Sequence, residues 1–450
     1  MSDQLPHKAQ WSSRLAFILA ASGSAIGLGN IWKFPYLLGE HGGGAFVLVY
    51  LIFVLFVGLP IVMAETVIGR LGKQNPVNSM RSAAKKANAS QNWQLVGWLG
   101  LAAGFLILSY YSVIAGWSMA YLFKMAGGFL ANTNALTSQQ TFEELRKSAD
   151  VQIVWHTAFM ISTMLTVSRE LSTGIERVTG LMMPALFIML ATLDIYAFSS
   201  DGFSQGMQFL FEPDFSKLTG ESLLIALGQA FFSLGLGMGA IMAYGAYLPD
   251  RISITRSTIA VAGADTLVAL MAGIAIFPIV FANHLEPTMG PGLIFETLPI
   301  AFSKMPGGTL FGSLFFLLVF FAAITSAVAL IEPTIAWLTE RMDVSRAKAS
   351  VWAGSACWLM GIGTVFSFSS EEPTRWSGRN FYELIDFVTS DLMLPIGGIL
   401  IATFVGWILK NELIEEELEL GNRTKIWHGL IRYVAPLSVA AILLSALSLI

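Results

Sequence analysis

The sequence predicts an all-α polytopic membrane protein, and three observations carry that prediction. Of 450 residues, 55% are hydrophobic and 12% are charged, about half the roughly 25% of soluble domains. Eleven stretches of mostly apolar residues recur along the chain, each near the length of about 20 that a helix needs to cross a bilayer. None alternates polar and apolar residues over ten positions as a strand of an outer-membrane barrel does, so helices remain as the structure that satisfies every backbone group in hydrocarbon. The composition also excludes disorder, which needs low hydrophobicity and high net charge. A formal charge of −4, with no basic cluster longer than Lys85-Lys86, gives no footprint for nucleic acid. Cys357 is the single cysteine and lies in apolar AGSACWLMGIG, where it reads as a small buried hydrophobe.

The stretches, numbered here as segments 1 to 11, run near 14 to 38, 44 to 70, 93 to 125, 151 to 168, 174 to 197, 222 to 248, 254 to 283, 308 to 340, 346 to 368, 380 to 409 and 428 to 449. Segment 1 follows polar MSDQLPHKAQWSSR and no small-residue cleavage site succeeds it, so it is expected to be retained. Several segments exceed the bilayer thickness and are expected to tilt or to extend into water. Eighteen Lys and Arg fall on the side of the N-terminus, among them five in 70 to 86, against seven on the other side. That bias places the N-terminus in the cytoplasm, and an odd number of spans places the C-terminus outside the cell membrane. Two external connections are long. The stretch 126 to 150 is polar, and 284 to 307 carries HLEPTMGPGLIFETLP, which suits a short helical hairpin acting either as a lid or as packing.

Segment 1 contains SGSAIGLGN and segment 6 contains SLGLGMGA. Glycine costs about 1 kcal/mol per residue in a helix relative to alanine, so three or more in a turn favour a break. A broken helix at membrane depth survives where it is buried in protein or lines an aqueous cavity. Close helix packing through small residues would explain one such run. Two runs five segments apart instead suggest paired repeats, and interrupted segments in matching halves point to a transport site.

These residues then carry a specific resemblance. GSAIGLGNIWKFPYLLGEHGGGAF resembles the signature of neurotransmitter:sodium symporters, and the likeness continues in order through ETVIGR, SYYSVIAGW, GQAFFSLGLGMGA, FFAAITSAVALIEP and FYELIDFV. It covers about nine-tenths of the chain. The resemblance implies a leucine-transporter fold with a cytoplasmic segment 1–13, five-helix repeats at 14–197 and 222–409 in inverted orientation, and an additional helix at 428–449. It also implies sodium-coupled import of neutral hydrophobic L-amino acids by alternating access, with no enzymatic activity, organic cofactor or obligate protein partner.

Residue by residue, the resemblance implies one sodium site at Ala25, Asn30, Ser233 and Asp265 with the substrate carboxylate, and a second at Gly23, Ile26, Ala322, Thr325 and Ser326. Asp265 departs from the usual neutral amide, so the chain is expected to supply the negative charge that relatives take from chloride. Substrate contacts fall on Ser24, Ala25, Leu28, Gly29, Ile107, Tyr111, Phe232, Gly235, Met238, Ser326 and Leu330. Gly27 stands where monoamine carriers place an aspartate, which argues for substrates that bring their own carboxylate. No charged group lines the pocket, so apolar side chains, aliphatic and aromatic, are expected.

An outer gate is implied at Lys33 and Asp386 above Tyr111 and Phe232, and an inner one at Lys8, Trp11, Tyr247 and Glu340. Glu65 and Gln229 resemble a polar pair behind the first sodium site. In segment 5, Pro184 deprives the Gly180 carbonyl of its helical partner, and with Gly174 it marks a hinge whose fraying would open the second sodium site to the cytoplasm. A channel would show charged rings or a repeated filter motif, and neither is present. An amino-acid-binding sensor on the same scaffold stays as the alternative, since sequence does not separate binding from transport.

Overall fold

Helices form the framework of the computed structural model, which describes residues 9–285, 290–371, 373–376 and 378–447. Lys8 lies outside the described residues. Among them, eight helices are long and apolar enough to cross a membrane, or nine when the bent pair Arg14–Ala25 and Gly29–Glu40 counts as one span. Segments 4 and 6 do not meet that measure, against the expectation of eleven. Segment 4 forms one helix, Ala149–Val167, whose Asp150, Gln152 and His156 dilute its apolar surface. Segment 6 is divided into Gly220–Ser233 and Ala240–Ala246, and neither piece alone spans a bilayer.

Serines set several helix starts by accepting an orphan amide: Ser13 before Arg14, Ser253 before Ile254 and Ser345 before Arg346. Segments 3 and 8, Gln91–Ala126 and Gly308–Met342, have 78% of their apolar windows buried inside the protein, whereas segment 11, Gly421–Ala446, has 17%. The first two are therefore the interior wall and the last is peripheral. Glycine makes the wall close: a Cβ on Gly104 would lie 2.7 Å from the Leu330 carbonyl oxygen.

Segment 1 bends by 53° at its break. In segment 6 the break has a backbone cause, because Gly235, Gly237 and Gly239 all take left-handed φ of +65°, +78° and +72°, a region costly for other L-residues. The freed groups are recaptured by side chains from elsewhere, which answers the accounting that hydrocarbon imposes. Glu65 Oε1 accepts the Gly237 N–H at 2.7 Å, and Gln229 Nε2 donates to the Gly29 carbonyl at 2.9 Å. Glu65 and Gln229 thus brace different breaks, and among the described residues no hydrogen bond joins them as a pair. A Cβ at Gly237 would sit 2.8 Å from the Leu394 carbonyl oxygen, so Gly237→Ala meets both strain and a clash. It is expected to destabilise the protein by more than about 1 to 2 kcal/mol, read as a lowered thermal midpoint in detergent.

In segment 5, Gly174 precedes the helix Ile175–Phe198, with Pro184 inside it. The N-terminal segment is tied there: both the N–H and the hydroxyl of Ser12 donate to the Glu176 carboxylate. Outside the bundle, Thr297–Lys304 forms the helix of the 284 to 307 connection, and 286–289 lie outside the described residues. The 126 to 150 connection forms a helix, Ala135–Lys147, that latches onto it. Phe142 stacks on Phe295 with ring centroids 5.2 Å apart, and Ser138 donates to the Glu296 carbonyl at 2.6 Å. Burial raises the Glu296 carboxyl above the usual range, and the charge of Arg146 opposes that rise.

Candidate functional site

The two breaks face one another across the buried helices of segments 3 and 8 and enclose a cavity of about 30 Å³. All eleven residues expected at the substrate line it, from Ser24 and Ala25 in segment 1 to Ser326 and Leu330 in segment 8, joined by Gly27 and Ser233. Leu28, Gly29, Tyr111 and Phe232 also line an outer vestibule of about 330 Å³. These four residues therefore form the neck between cavity and vestibule. Tyr111 holds its place there by accepting the Leu28 N–H through its hydroxyl at 3.4 Å. Gly27 is glycine for want of room: a Cβ would lie 2.6 Å from Ser326 Oγ and 3.1 Å from the Tyr111 hydroxyl.

On one side of the cavity stands a buried carboxylate. Asp265 Oδ1 accepts Asn30 Nδ2 at 2.7 Å, and Oδ2 accepts the hydroxyls of Ser233 at 2.7 Å and Tyr50 at 3.3 Å. Asn30 Oδ1 in turn accepts the Gly27 N–H at 3.2 Å. Tyr50 was not anticipated from sequence, although a tyrosine inside apolar VLVYLIF in segment 2 was the signal available. Asn30, Ser233 and Asp265 of the expected first set are thus joined by hydrogen bonds, and Ala25 lines the same cavity as Ser233. Carboxylate and hydroxyl oxygens are hard ligands of the kind a small cation takes, whereas Asn30 presents its nitrogen to the carboxylate.

In a second cluster, Ser326 donates to the carbonyls of Gly23 at 3.2 Å and Ile26 at 3.1 Å. Thr325 donates to Phe321 at 3.0 Å and Ala322 at 3.1 Å. A hydroxyl has acceptor lone pairs, so rotation of its proton turns this cluster into an all-oxygen cage. Gly23 permits the approach, since a Cβ there would lie 3.0 Å from Thr325 Cβ. The expected second set, Gly23, Ile26, Ala322, Thr325 and Ser326, is thereby assembled from the broken end of segment 1 and the unbroken segment 8.

The residues expected at the gates hold varied partners. Lys33 and Asp386 both line the vestibule, but among the described residues they form no ion pair. The Lys33 ammonium lies 4.9 Å from the ring centroid of Phe232, an arrangement with cation–π character. Asp386 Oδ1 accepts Ser390 Oγ at 2.8 Å. On the inner side, Trp11 is 1% exposed; its Nε1 donates to the Tyr244 carbonyl at 2.9 Å and its N–H to that of Tyr247 at 3.0 Å. Glu340 accepts Asn75 N–H at 2.8 Å, and its charge also acts on Tyr247. The acid beside Tyr247 is Glu332, fully buried, which accepts the Tyr247 hydroxyl at 2.8 Å and both terminal nitrogens of Arg346 at 2.9 and 2.6 Å. Sequence reading passed over Glu332, yet an ionisable residue inside a span is the usual mark of function.

The chain is similar to known proteins over its whole length. The model of the sodium:neurotransmitter symporter family matches residues 8–158 and 140–450. An uncharacterized sodium-dependent transporter of Bacillus subtilis, YhdH, is 37% identical over the full length of both chains. An uncharacterized sodium-dependent transporter of Haemophilus influenzae is 32% identical over 97% of this chain and 98% of its own. Among solved structures, MhsT in complex with L-phenylalanine matches with a TM-score of 0.90 and 42% identity, over 97% of this chain and 99% of that one. Matches of this extent and identity, on a bundle whose two broken helices enclose a buried cavity, show that the chain belongs to the sodium:neurotransmitter symporter family.

Proposed function

We infer that the protein is a symporter that imports neutral hydrophobic L-amino acids, aliphatic and aromatic, driven by sodium at two sites and independent of chloride. Its architecture in this reading has eleven spans, with the repeats 14–197 and 222–409 inverted around the cavity, the N-terminus cytoplasmic and the C-terminus extracellular. The observation that carries the reading is the cavity itself: its lining has no charged side chain, while Ser233 and Ser326 in that lining belong to two clusters of oxygen atoms. A substrate carboxylate would lie toward Tyr111 and the amide end of the second half of segment 1. Its apolar side chain would lie among Ile107, Phe232, Met238 and Leu330. The binding of L-phenylalanine by MhsT supports an aromatic substrate.

Alternating access requires the neck and the inner cluster to open in turn. The neck would close when Lys33 leaves Phe232 for Asp386. The inner route would open when Gly174 to Pro184 frays and Glu176 releases Ser12, which frees the segment seated by Trp11. Hydrogen exchange of residues 174 to 184 is expected to slow when sodium binds, and unchanged protection together with normal transport by Pro184→Ala would refute this hinge.

The function is tested in proteoliposomes. Labelled Leu, Phe and Trp are expected to accumulate under an inward sodium gradient and to exchange in counterflow. Uptake indifferent to sodium would sink the symport reading, and binding without exchange would favour a sensor. Size selection has its own test at Gly235, where a Cβ would have 4.0 Å of clearance to Met238 Sδ and Ser24 Oγ. Because Gly235 has positive φ, Gly235→Ser lowers uptake of every substrate through strain. The ratio of Trp to Val uptake isolates the steric part, which is expected to amount to about 1 to 3 kcal/mol against Trp. A constant ratio would count against pocket size as the selector.

A further inference from the structure

Two π-helical turns, Phe404–Ile408 in segment 10 and Leu430–Val434 in segment 11, face one another. Such turns release backbone groups from the regular ladder and are frequent at functional sites. Here they are cross-tied: His428 Nε2 lies 2.9 Å from the Gly406 carbonyl oxygen, and Trp407 Nε1 donates to the Arg432 carbonyl at 3.2 Å. Glycine lets the two backbones meet, for a Cβ on Gly406 would sit 3.0 Å from Arg432 Cα. As a result the Arg432 guanidinium lies 3.8 Å from the ring centroid of Trp407, with Tyr433 at 5.9 Å.

This arginine is on the periphery, where Trp407 and Tyr433 are each 52% exposed. Among the described residues it forms no ion pair, and its Nε is buried without a hydrogen-bond partner. Lys410, Arg423 and Lys425 are exposed at the same end of the two segments. The carboxylates nearest in sequence, Glu412, Glu415, Glu416 and Glu419, make no ion pair with any of the four cations among the described residues, and Glu417 is engaged by Arg70. A charged side chain facing lipid is costly until it is paired. Arg432 stands seven residues beyond Lys425, about 10 Å deeper along a helix, and a long side chain reaches back toward the interface from that depth.

We propose that Arg432, held flat on Trp407, binds the phosphate of an anionic phospholipid headgroup in the leaflet on this side. The basic end of paired spans offers the chemistry that such headgroups use. One face of the guanidinium is occupied by the indole and its Nε is buried, which leaves the edge formed by its two terminal nitrogens as the fork that a phosphate oxygen pair fits. Under the proposed orientation this is the cytoplasmic leaflet.

The test uses the purified full-length chain in detergent and follows its thermal midpoint, a readout that does not depend on transport. Phosphatidylglycerol is expected to raise the midpoint, and phosphatidylcholine or inorganic phosphate at the same concentration to leave it in place. Arg432→Gln is expected to need at least about fivefold more phosphatidylglycerol for the same shift, with its stabilisation by sodium unchanged. Should that variant not fold, Trp407→Leu keeps the charge and removes the platform, and is expected to weaken the response as well. A full phosphatidylglycerol response in the variant that folds, or an equal response to phosphatidylcholine or inorganic phosphate, overturns the proposal.

Discussion

Asp265→Asn is expected to weaken sodium binding by about 2 to 5 kcal/mol, the loss measured when one partner of a buried, hydrogen-bonded charge pair is removed. The substitution is nearly isosteric and the surroundings adapt to it. The new amide oxygen can keep the bond from Asn30 Nδ2, while Ser233 and Tyr50 can turn their hydroxyls to accept from the amide nitrogen that replaces Oδ2. Packing therefore survives while the negative charge is lost, which separates electrostatics from folding. The charge matters here because the remaining donors expected at the first sodium site, Ala25, Asn30 and Ser233, are neutral. With Asp265 in the proposed role of the anion, transport by the unmodified protein is expected to persist when gluconate replaces chloride. The asparagine variant is expected either to lose sodium-driven uptake or to regain it in chloride alone. A wild-type protein that is inactive without chloride would refute the role given to this carboxylate, and so would an asparagine variant with normal sodium affinity in gluconate.

How far such a site is legible before a structure exists depends on the range of the interaction. The breaks were visible because three glycines within five residues of segment 6 state their own backbone conformation, and the structure places all three at positive φ. The residues lining the cavity were visible through motifs that are contiguous in sequence. What was not visible involves partners chosen among several within reach. Lys33, Phe232 and Asp386 all line a vestibule of about 330 Å³, and sequence does not say which of the two the ammonium faces there. Glu65 and Gln229 were paired by the family resemblance, yet each meets a different stranded backbone group. Tyr50 was lost in the apolar run around it. Segments 4 and 6 show the limit of hydropathy itself, since one is a helix with polar residues on it and the other is interrupted by its glycines.

Arg346→Ala is expected to have the second largest effect, by loosening the inner gate. In the structure a short turn follows segment 8 and brings Arg346, first residue of segment 9, back along the helix to Glu332, 14 residues earlier. The guanidinium is shared further: its Nε donates to the carbonyls of Val167 at 3.2 Å and Arg169 at 2.9 Å. One side chain thus joins segment 8 to the end of segment 4 and, through Glu332 and the Tyr247 hydroxyl, to the inner half of segment 6. The Tyr247 carbonyl holds Trp11, so the seat of the N-terminal segment depends on the same network. Removing the arginine leaves Glu332 buried with its charge unmatched, a change that costs about 3 to 5 kcal/mol in a closed interior. Water entering from the cytoplasm relieves that cost, so the variant is expected to favour an inward-open state, with faster hydrogen exchange over residues 11 to 14 and a lower apparent affinity for external substrate. Tyr247→Phe keeps the ion pair and loses one charge-assisted hydrogen bond, about 1.5 to 3 kcal/mol, so its effect is expected to be smaller. Adding Glu332→Gln to Arg346→Ala removes the stranded charge and is expected to restore part of the protection. If Arg346→Ala leaves both exchange and uptake at wild-type levels, the ion pair is a packing feature and the inner gate is held elsewhere.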